Sequence, residues 1–333
     1  MRENIIVEKI NSLDDFYGVV SVKSENKILF EEAFGYADMV NKRKNNLNTR
    51  FGIASGAKLF TAISICKLVQ EGKLSFETKL KEYVNIDNYD ENITVEQLLT
   101  HTSGIPDYFD EDVMSDFSDL WIGNPMYLLR TPSDFKNLLS EGIMKSKPGE
   151  EFSYNNSAFI VLSLVVEKVS SKPFVEFVKE NIFDVLDMKF SGYFAMDMMP
   201  ENCANGYIEN KNGTFKSNIY SIPVVGGGDG GVFINAHDMT KLWNGLFDYK
   251  LLDKEMTEKL LTAHVHVNDN VYYGYGIWIL KRNDEIFKYY ITGSDPGVDF
   301  ISSIYPRNKL EVTVLSNKEF GAYDITKCIE DNM

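Results

Sequence analysis

Apolar positions divide the chain into three textures. Near the N-terminus, residues 17–23 and 27–34 read as two strands: Val20 and Val22 alternate with Ser21 and Lys23, and Ile28, Phe30 and Phe34 carry the apolar weight of the second. The polar Ser24-Glu-Asn26 between them predicts an antiparallel hairpin. From residue 51 the period lengthens. Leu59, Ile63, Cys66 and Leu68 recur near helical spacing, which predicts a helix opening at Ser55 and closing at Gly72, where glycine accepts the left-handed conformation. Thr94-Val-Glu-Gln97 has the form of a capping box, and Thr131-Pro-Ser-Asp134 starts another helix that Gly142 stops. Phe159, Ile160, Leu162, Leu164, Val165 and Val166 are apolar nearly all round, so a helix over residues 158–169, capped by Ser157, is expected to be buried. A further helix follows Lys172-Pro173 with Phe174, Phe177 and Ile182, and Asn235 is placed to cap one holding Met239, Leu242 and Leu246. Strand candidates then follow at residues 272–280, 287–292, 298–305 and 310–315, and a short helix over residues 323–329 ends the chain.

This order of strands, helices and strands predicts an α+β fold. One antiparallel sheet, flanked by terminal helices, is drawn from residues 1–54 and 225–333, and a mostly helical lobe, residues 55–224, is inserted into it. The active site is expected at their junction, where ligand clefts usually form. The 333 residues suffice for two domains, and the 44% hydrophobic and 13% aromatic content excludes a disordered chain. A net charge of −15 argues against nucleic acid and anionic membrane surfaces as partners; the densest basic run, Lys42-Arg-Lys44, reads as a solvated loop. Cys66, Cys203 and Cys328 are widely spaced, and the four histidines, His264 and His266 included, supply no zinc pattern. No apolar run of about 18 residues and no secretory h-region occurs, so no membrane span is expected, and a cytoplasmic location if Met1 is the native start.

Candidate chemistry begins at Ser55 and Lys58, three apart and therefore on one helix face. An amine there can touch a hydroxyl, and burial can lower a lysine enough to accept its proton. Taken alone the pair is weak evidence, and an N-cap serine with a solvated lysine is the favoured reading. Tyr154 and Asn156 stand at the buried end of the apolar helix, where a satisfied core tyrosine and a turn asparagine are the plainer alternatives. The run Gly226-Gly-Gly-Asp-Gly-Gly231 could cradle a phosphate but lacks the P-loop spacing, which favours close backbone packing. Residues 107–119 are acidic and aromatic, a lid or a surface loop anchored by Tyr108, Phe109 and Phe117; anchoring is the favoured reading. His101 and Ser103 form an alternative pair, and no GxSxG elbow is present.

Three elements fall in order: Ser55-Gly-Ala-Lys58, Tyr154-Asn-Asn156 and Ile291-Thr-Gly-Ser294. With Phe34-Gly-Tyr-Ala-Asp38, residues 98–108, Lys147-Pro-Gly149 and Gly228-Asp-Gly-Gly231, this series resembles the penicillin-recognising serine hydrolases over nearly the whole chain. The likeness is to the branch of class C β-lactamases, D-alanyl-D-alanine carboxypeptidases and family VIII esterases, whose motifs are SxxK, YxN and a KTG-like strand. The resemblance implies a β-lactamase/transpeptidase-like fold and a serine hydrolase acting through an acyl-enzyme on a β-lactam, a D-amino-acid peptide or an ester. Ser55 would attack, Lys58 would relay its proton, Tyr154 would serve as partner base and leaving-group acid, and Asn156 would bind Lys58 and the substrate. The N–H groups of Ser55 and Ser294 would form the oxyanion hole. Ile291, Thr292, Gly293 and Ser294 would line the substrate, with Ile291 giving an apolar rim where the family has Lys or His; Lys288, on the opposite strand face, cannot replace that cation. The missing cation also supports a second reading, a catalytically weak binding or sensor protein on the same scaffold. The substrate is a small molecule or peptide, and no cofactor is implied because a hydroxyl, an amine and a phenol complete the chemistry.

Overall fold

The computed structural model describes residues 3–13, 15–25, 27–111, 113, 114 and 117–333. Alternating apolar residues at the two ends of the chain build one eight-stranded antiparallel sheet from β1 (Gly18–Ser24), β2 (Lys27–Phe34), β3 (Val265–Asn268), β4 (Val271–Tyr273), β5 (Trp278–Arg282), β6 (Glu285–Asp295), β7 (Val298–Tyr305) and β8 (Leu310–Ser316). Their order is β2-β1-β8-β7-β6-β5-β4-β3. The first and last strands of this set are neighbours, one strand in from the β2 edge, with Gly18 opposite Ser316 and Ser24 opposite Leu310. The α+β architecture read from the sequence is the one observed.

Strand alternation sends side chains to two cores. Val20, Val22, Val312 and Val314 face helices α1 (Glu3–Ser12) and α9 (Ala322–Glu330), packing with Ile6, Ile10, Ile325 and Ile329. Val19, Phe300 and Leu315 join the larger core on the other side, with α2 (Lys58–Gln70) and α5 (Asn156–Ser170). Leu59, Phe60, Ala62, Ile63, Ile65 and Cys66 on α2 are inaccessible to solvent, as are Phe159, Ile160, Val161, Leu162, Val165 and Val166 on α5. Each such aliphatic or aromatic side chain contributes on the order of 1.5–3 kcal/mol. Both helices are therefore central struts rather than covers. Among the described residues no helix is long and apolar enough to cross a membrane.

Several boundaries differ from the expectation. Residues 272–280 are two strands, β4 and β5, parted by Gly274, Tyr275, Gly276 and Ile277, with Gly276 at φ +66°. β3 was not expected from sequence; it carries His266 and directly follows His264, and the two strand-spaced histidines bond separately, His264 to the Lys259 carbonyl and His266 to the Asp269 carbonyl. α5 is capped by Asn155, whose Oδ1 accepts from the Ala158 N–H at 2.8 Å; Ser157 Oγ instead accepts from the Tyr108 N–H. Asparagine precedes the first apolar residues by the better distance, so it takes the cap. The Thr94 capping box forms as expected, with Gln97 bonded reciprocally. In the segment 107–119, Tyr108 and Phe109 are buried anchors; Asp112, Ser115, Asp116 and the Phe117 side chain lie outside the described residues, as does Asn26 of the hairpin turn.

Beneath α7 (Ala236–Phe247), charged residues of the sheet form a buried network. Lys23 Nζ pairs with Glu31 at 3.0 Å and donates to Thr240 Oγ1 at 3.1 Å, and Thr240 donates to Glu311 Oε1 at 2.8 Å. Burial, only partly offset by Thr240 and Lys23, pushes the Glu311 carboxyl up to about 7. A carboxyl raised on folding favours the folded state fully below its unfolded value and loses that contribution as pH rises through 7. Glu311→Gln should therefore raise the melting temperature at pH 8.5, by ~2–3 °C for about 2 kcal/mol, and give a much smaller gain at pH 5. Thermal melts of both proteins at the two pH values check this.

Candidate active site

The short strand Phe51–Gly52 pairs with Phe233–Ile234 and delivers the chain to the site. There the expected helix start differs. Residues Ala54–Ala57 form a 3₁₀ turn, the α-helix begins only at Lys58, and no side chain caps either. Ala54 enters the turn at φ +45°, a left-handed conformation that costs a non-glycine residue about 1–2 kcal/mol. The tighter turn has a chemical consequence: at three residues per turn, positions i and i+3 eclipse, which stacks Lys58 directly on Ser55.

Lys58 Nζ lies 2.9 Å from Ser55 Oγ, 2.8 Å from Asn156 Oδ1 and 3.0 Å from the Asp229 carbonyl oxygen. The two last are permanent acceptors and occupy two N–H bonds. Whatever remains on the nitrogen, a third N–H or a lone pair, faces the serine. Asn156 is held in the matching orientation because its Nδ2 donates to the Phe109 carbonyl at 3.0 Å and to Asp107 Oδ2 at 3.2 Å, leaving Oδ1 for the lysine. Asp107 in turn accepts the N–H groups of Asn156 and Ser157 at the positive end of α5.

Tyr154 reaches the same point, its phenol hydrogen-bonded to Ser55 and its ring centroid 4.8 Å from Lys58 Nζ. The ring stacks against Trp278 at 5.9 Å and an interplanar angle of 19°. Burial lowers Lys58 from the ordinary lysine range, opposed by Asp229, Glu111, Asp107 and Asp295. Burial likewise holds the Tyr154 phenol well above its usual range, with Glu111 adding to it, and the Ser55 contact only partly offsets them. These influences favour the protonated phenol over the phenolate. Asp107 is pushed up to about 6 and Asp295 to about 7, again chiefly by burial.

Strand β6 closes the site. Gly293 passes so near the Ala54–Ala57 turn that a Cβ on it would stand 2.6 Å from the Ser55 nitrogen and closer still to the Ile53 carbonyl oxygen. Thr292, Gly293 and Ser294, with Ser55, Tyr154, Trp278, Asp110 and Glu111, line a cavity of ≈ 330 Å³. Ile291 is not among them. Its side chain is 1% exposed and belongs to the larger core, so the expected apolar rim is absent: strand alternation turns Ile291 inward. Lys288 is bound to Glu330 on α9 at 2.7 Å, away from the site as the strand period requires.

The glycine run serves close packing. A Cβ on Gly228 would collide with the Phe159 carbonyl, and Thr61 Oγ1 donates to the Gly228 carbonyl at 2.6 Å. Its one functional group was missed from sequence, since the Asp229 carbonyl that anchors Lys58 is main chain and leaves no residue-type signal. Glu111 and Trp278 were also missed; neither stands in a motif, and only the fold brings them beside Ser55. His101 is structural: Nδ1 accepts the Asn155 N–H at 3.0 Å, Nε2 meets the Tyr273 hydroxyl at 3.1 Å, and burial keeps the ring neutral. No cluster of His, Cys, Asp and Glu suited to a metal occurs among the described residues.

Comparison with known proteins places this geometry. The chain is 27% identical over 332 residues to penicillin-binding protein 4* of Bacillus subtilis, covering 94% of this chain and 71% of that one. It is similar to the crystal structure of a penicillin binding protein from Bacillus halodurans, with 47% identity, 99% of both chains covered and a TM-score of 0.94. A D-stereospecific amidohydrolase from a Streptomyces species shares the fold at 20% identity, with 98% of both chains covered and a TM-score of 0.81. The family model described as Beta-lactamase matches residues 10–327, which takes in the whole sheet and every group gathered around Ser55, and the chain accordingly belongs to the Beta-lactamase family of serine hydrolases.

Proposed function

We propose that the protein hydrolyses a small ester or amide, a β-lactam or D-amino-acid peptide included, through an acyl-enzyme on Ser55. The observation that carries this reading is the lysine clamp: Asn156 Oδ1 and the Asp229 carbonyl consume two N–H bonds, so a neutral Lys58 aims its lone pair at Ser55 Oγ. The serine proton passes to Lys58 as Oγ bonds to the carbonyl carbon, and the oxyanion is held by the N–H groups of Ser55 and Ser294. Tyr154 gives its proton to the leaving group as the bond to the acyl carbon breaks. The phenolate then recovers a proton from the Lys58 ammonium beside it, a charge pair that did not exist in the resting site. Water repeats the sequence in reverse to free Ser55. In this reading residues 55–224 and the remainder act as two lobes that hold the substrate between them.

Incubation with a β-lactam and with activated esters should add the acyl mass to Ser55, located by peptide mapping, and Ser55→Ala should show none. Absence of an adduct with every donor overturns the reading. Saturable binding without an adduct supports the alternative of a binding or sensor protein, whose observation is the apolar residue Ile291 in the third motif.

A further inference from the structure

A cavity of ≈ 560 Å³, larger than the one beside Ser55, opens at the other end of the sheet under the C-terminal half of α7. Strand β7 joins the two places. Its Phe300 ring packs against the Ala54–Ala57 turn, where a Cβ on Gly56 would stand 2.6 Å from it, and Ile304, about 13 Å further along the strand, lies in the wall of the second cavity. Phe247, Ile304 and Leu310 make that wall apolar, and Lys23 and Glu311 reach it from the sheet. Pockets for small organic molecules run from about 300 to 1,000 Å³, so the space is of that class.

The charges on the wall pair off with one exception. Lys23 is bound to Glu31 at 3.0 Å, Asp248 to Lys250 at 3.1 Å, and Lys309 to Glu25. Glu311 has no ion pair among the described residues, although it is only 8% exposed. Its Oε1 accepts from Thr240 at 2.8 Å, whereas Oε2 accepts from no described residue. That oxygen is not sealed inside the protein, so it opens onto the cavity that Glu311 lines. Lys23 does not make up the deficit, because it gives one N–H to Glu31 and another to Thr240. A carboxylate buried with an unsatisfied oxygen is costly, and a charged N–H donor satisfies the oxygen and the charge together.

We propose that this cavity is a second binding site, separate from the hydrolytic one, for a small primary amine carried on an apolar aryl or alkyl body. The ammonium pairs with Glu311 Oε2, and the body covers Phe247, Ile304 and Leu310. An anionic head is disfavoured there, since it would meet Glu311 while the cation nearest to it is already spent on Glu31.

The test is isothermal titration calorimetry with 2-phenylethylamine, 2-phenylethanol and 3-phenylpropanoate at pH 8.5, where the Glu311 carboxyl, pushed up to about 7, is ionised. The amine should bind at least about tenfold more tightly than the alcohol, and the carboxylate more weakly than either. Glu311→Gln keeps the shape and removes the charge, and should bring the amine to within about twofold of the alcohol. This variant is expected to melt higher than the wild type at that pH, so lost binding would not reflect unfolding. At pH 5.5 the advantage of the amine should shrink in the wild type, because the Glu311 carboxyl is then protonated. Ser55→Ala should bind the amine as the wild type does. No heat with millimolar amine, an amine affinity that survives Glu311→Gln, or equal affinity for the carboxylate overturns the inference and leaves hydrolysis at Ser55 untouched. Loss of amine binding in Ser55→Ala would place the amine in the other cavity and overturns it as well.

Discussion

Lys58→Arg should lower kcat/KM for a neutral ester by about a thousandfold or more, within the range set by loss of a general base. Arginine keeps the positive charge but does not release a proton at any pH the fold survives. The substitution therefore separates two roles that alanine would merge. If Lys58 served only as a cation beside Ser55, arginine would retain activity to within about tenfold. Lys58→Met, close in length and apolar, should be as inactive as Lys58→Arg, and circular dichroism would establish that both remain folded. The wild-type rate should rise with pH along a limb set by Lys58, below the ordinary lysine value of about 10.4, because burial disfavours its ammonium. The neighbouring carboxylates oppose that shift, so removing one, as in Glu111→Gln, should move the limb to still lower pH.

Gly293→Val is the second substitution with a large expected effect, and it removes no side chain that takes part in the chemistry. Its Cβ would meet the Ser55 nitrogen at 2.6 Å and the Ile53 carbonyl, both of them main-chain atoms that cannot rotate away. Either β6 or the Ala54–Ala57 turn must move. A displacement of about 1 Å at the reacting oxygen costs roughly a hundredfold, so acylation measured by stopped flow should slow by at least that factor. The fold should survive with a loss on the order of 1–3 kcal/mol, as for other overpacked sites, read from denaturant unfolding. Acylation at the wild-type rate would mean that the strand and the turn are not registered against one another.

Elements with a strong local period were legible in the sequence. Val20 and Val22 announced β1, the Thr94 box announced the helix at residues 95–99, and the all-round apolar run announced a buried α5. Ser55, Lys58, Tyr154 and Asn156 could be named together because the resemblance supplied the connection that spacing could not. What escaped had no one-dimensional signature. The Asp229 carbonyl is a backbone atom presented by a glycine run, and Glu111 and Trp278 come from a loop and a strand 167 positions apart. Ile291 was misplaced for a different reason: its motif position was read as a surface, whereas the strand period directs it into the core. The charge of the site was also hidden, since a sequence records how many carboxylates exist but not which of them lack a counter-ion.

The burial of α2 and α5 on nearly every side bears on how the chemistry is lost. Amides at the centre of such struts exchange with solvent only when the whole chain opens, unlike those of frayed ends or surface loops. Lys58 and Asn156 open these helices but are themselves buried, 1% and 5% exposed, so their alignment is tied to the same core and should persist until the cooperative transition. Glu111, which lines the cavity beside Ser55, belongs to a loop instead. Warming should first blur what the protein accepts, and only afterwards whether it reacts.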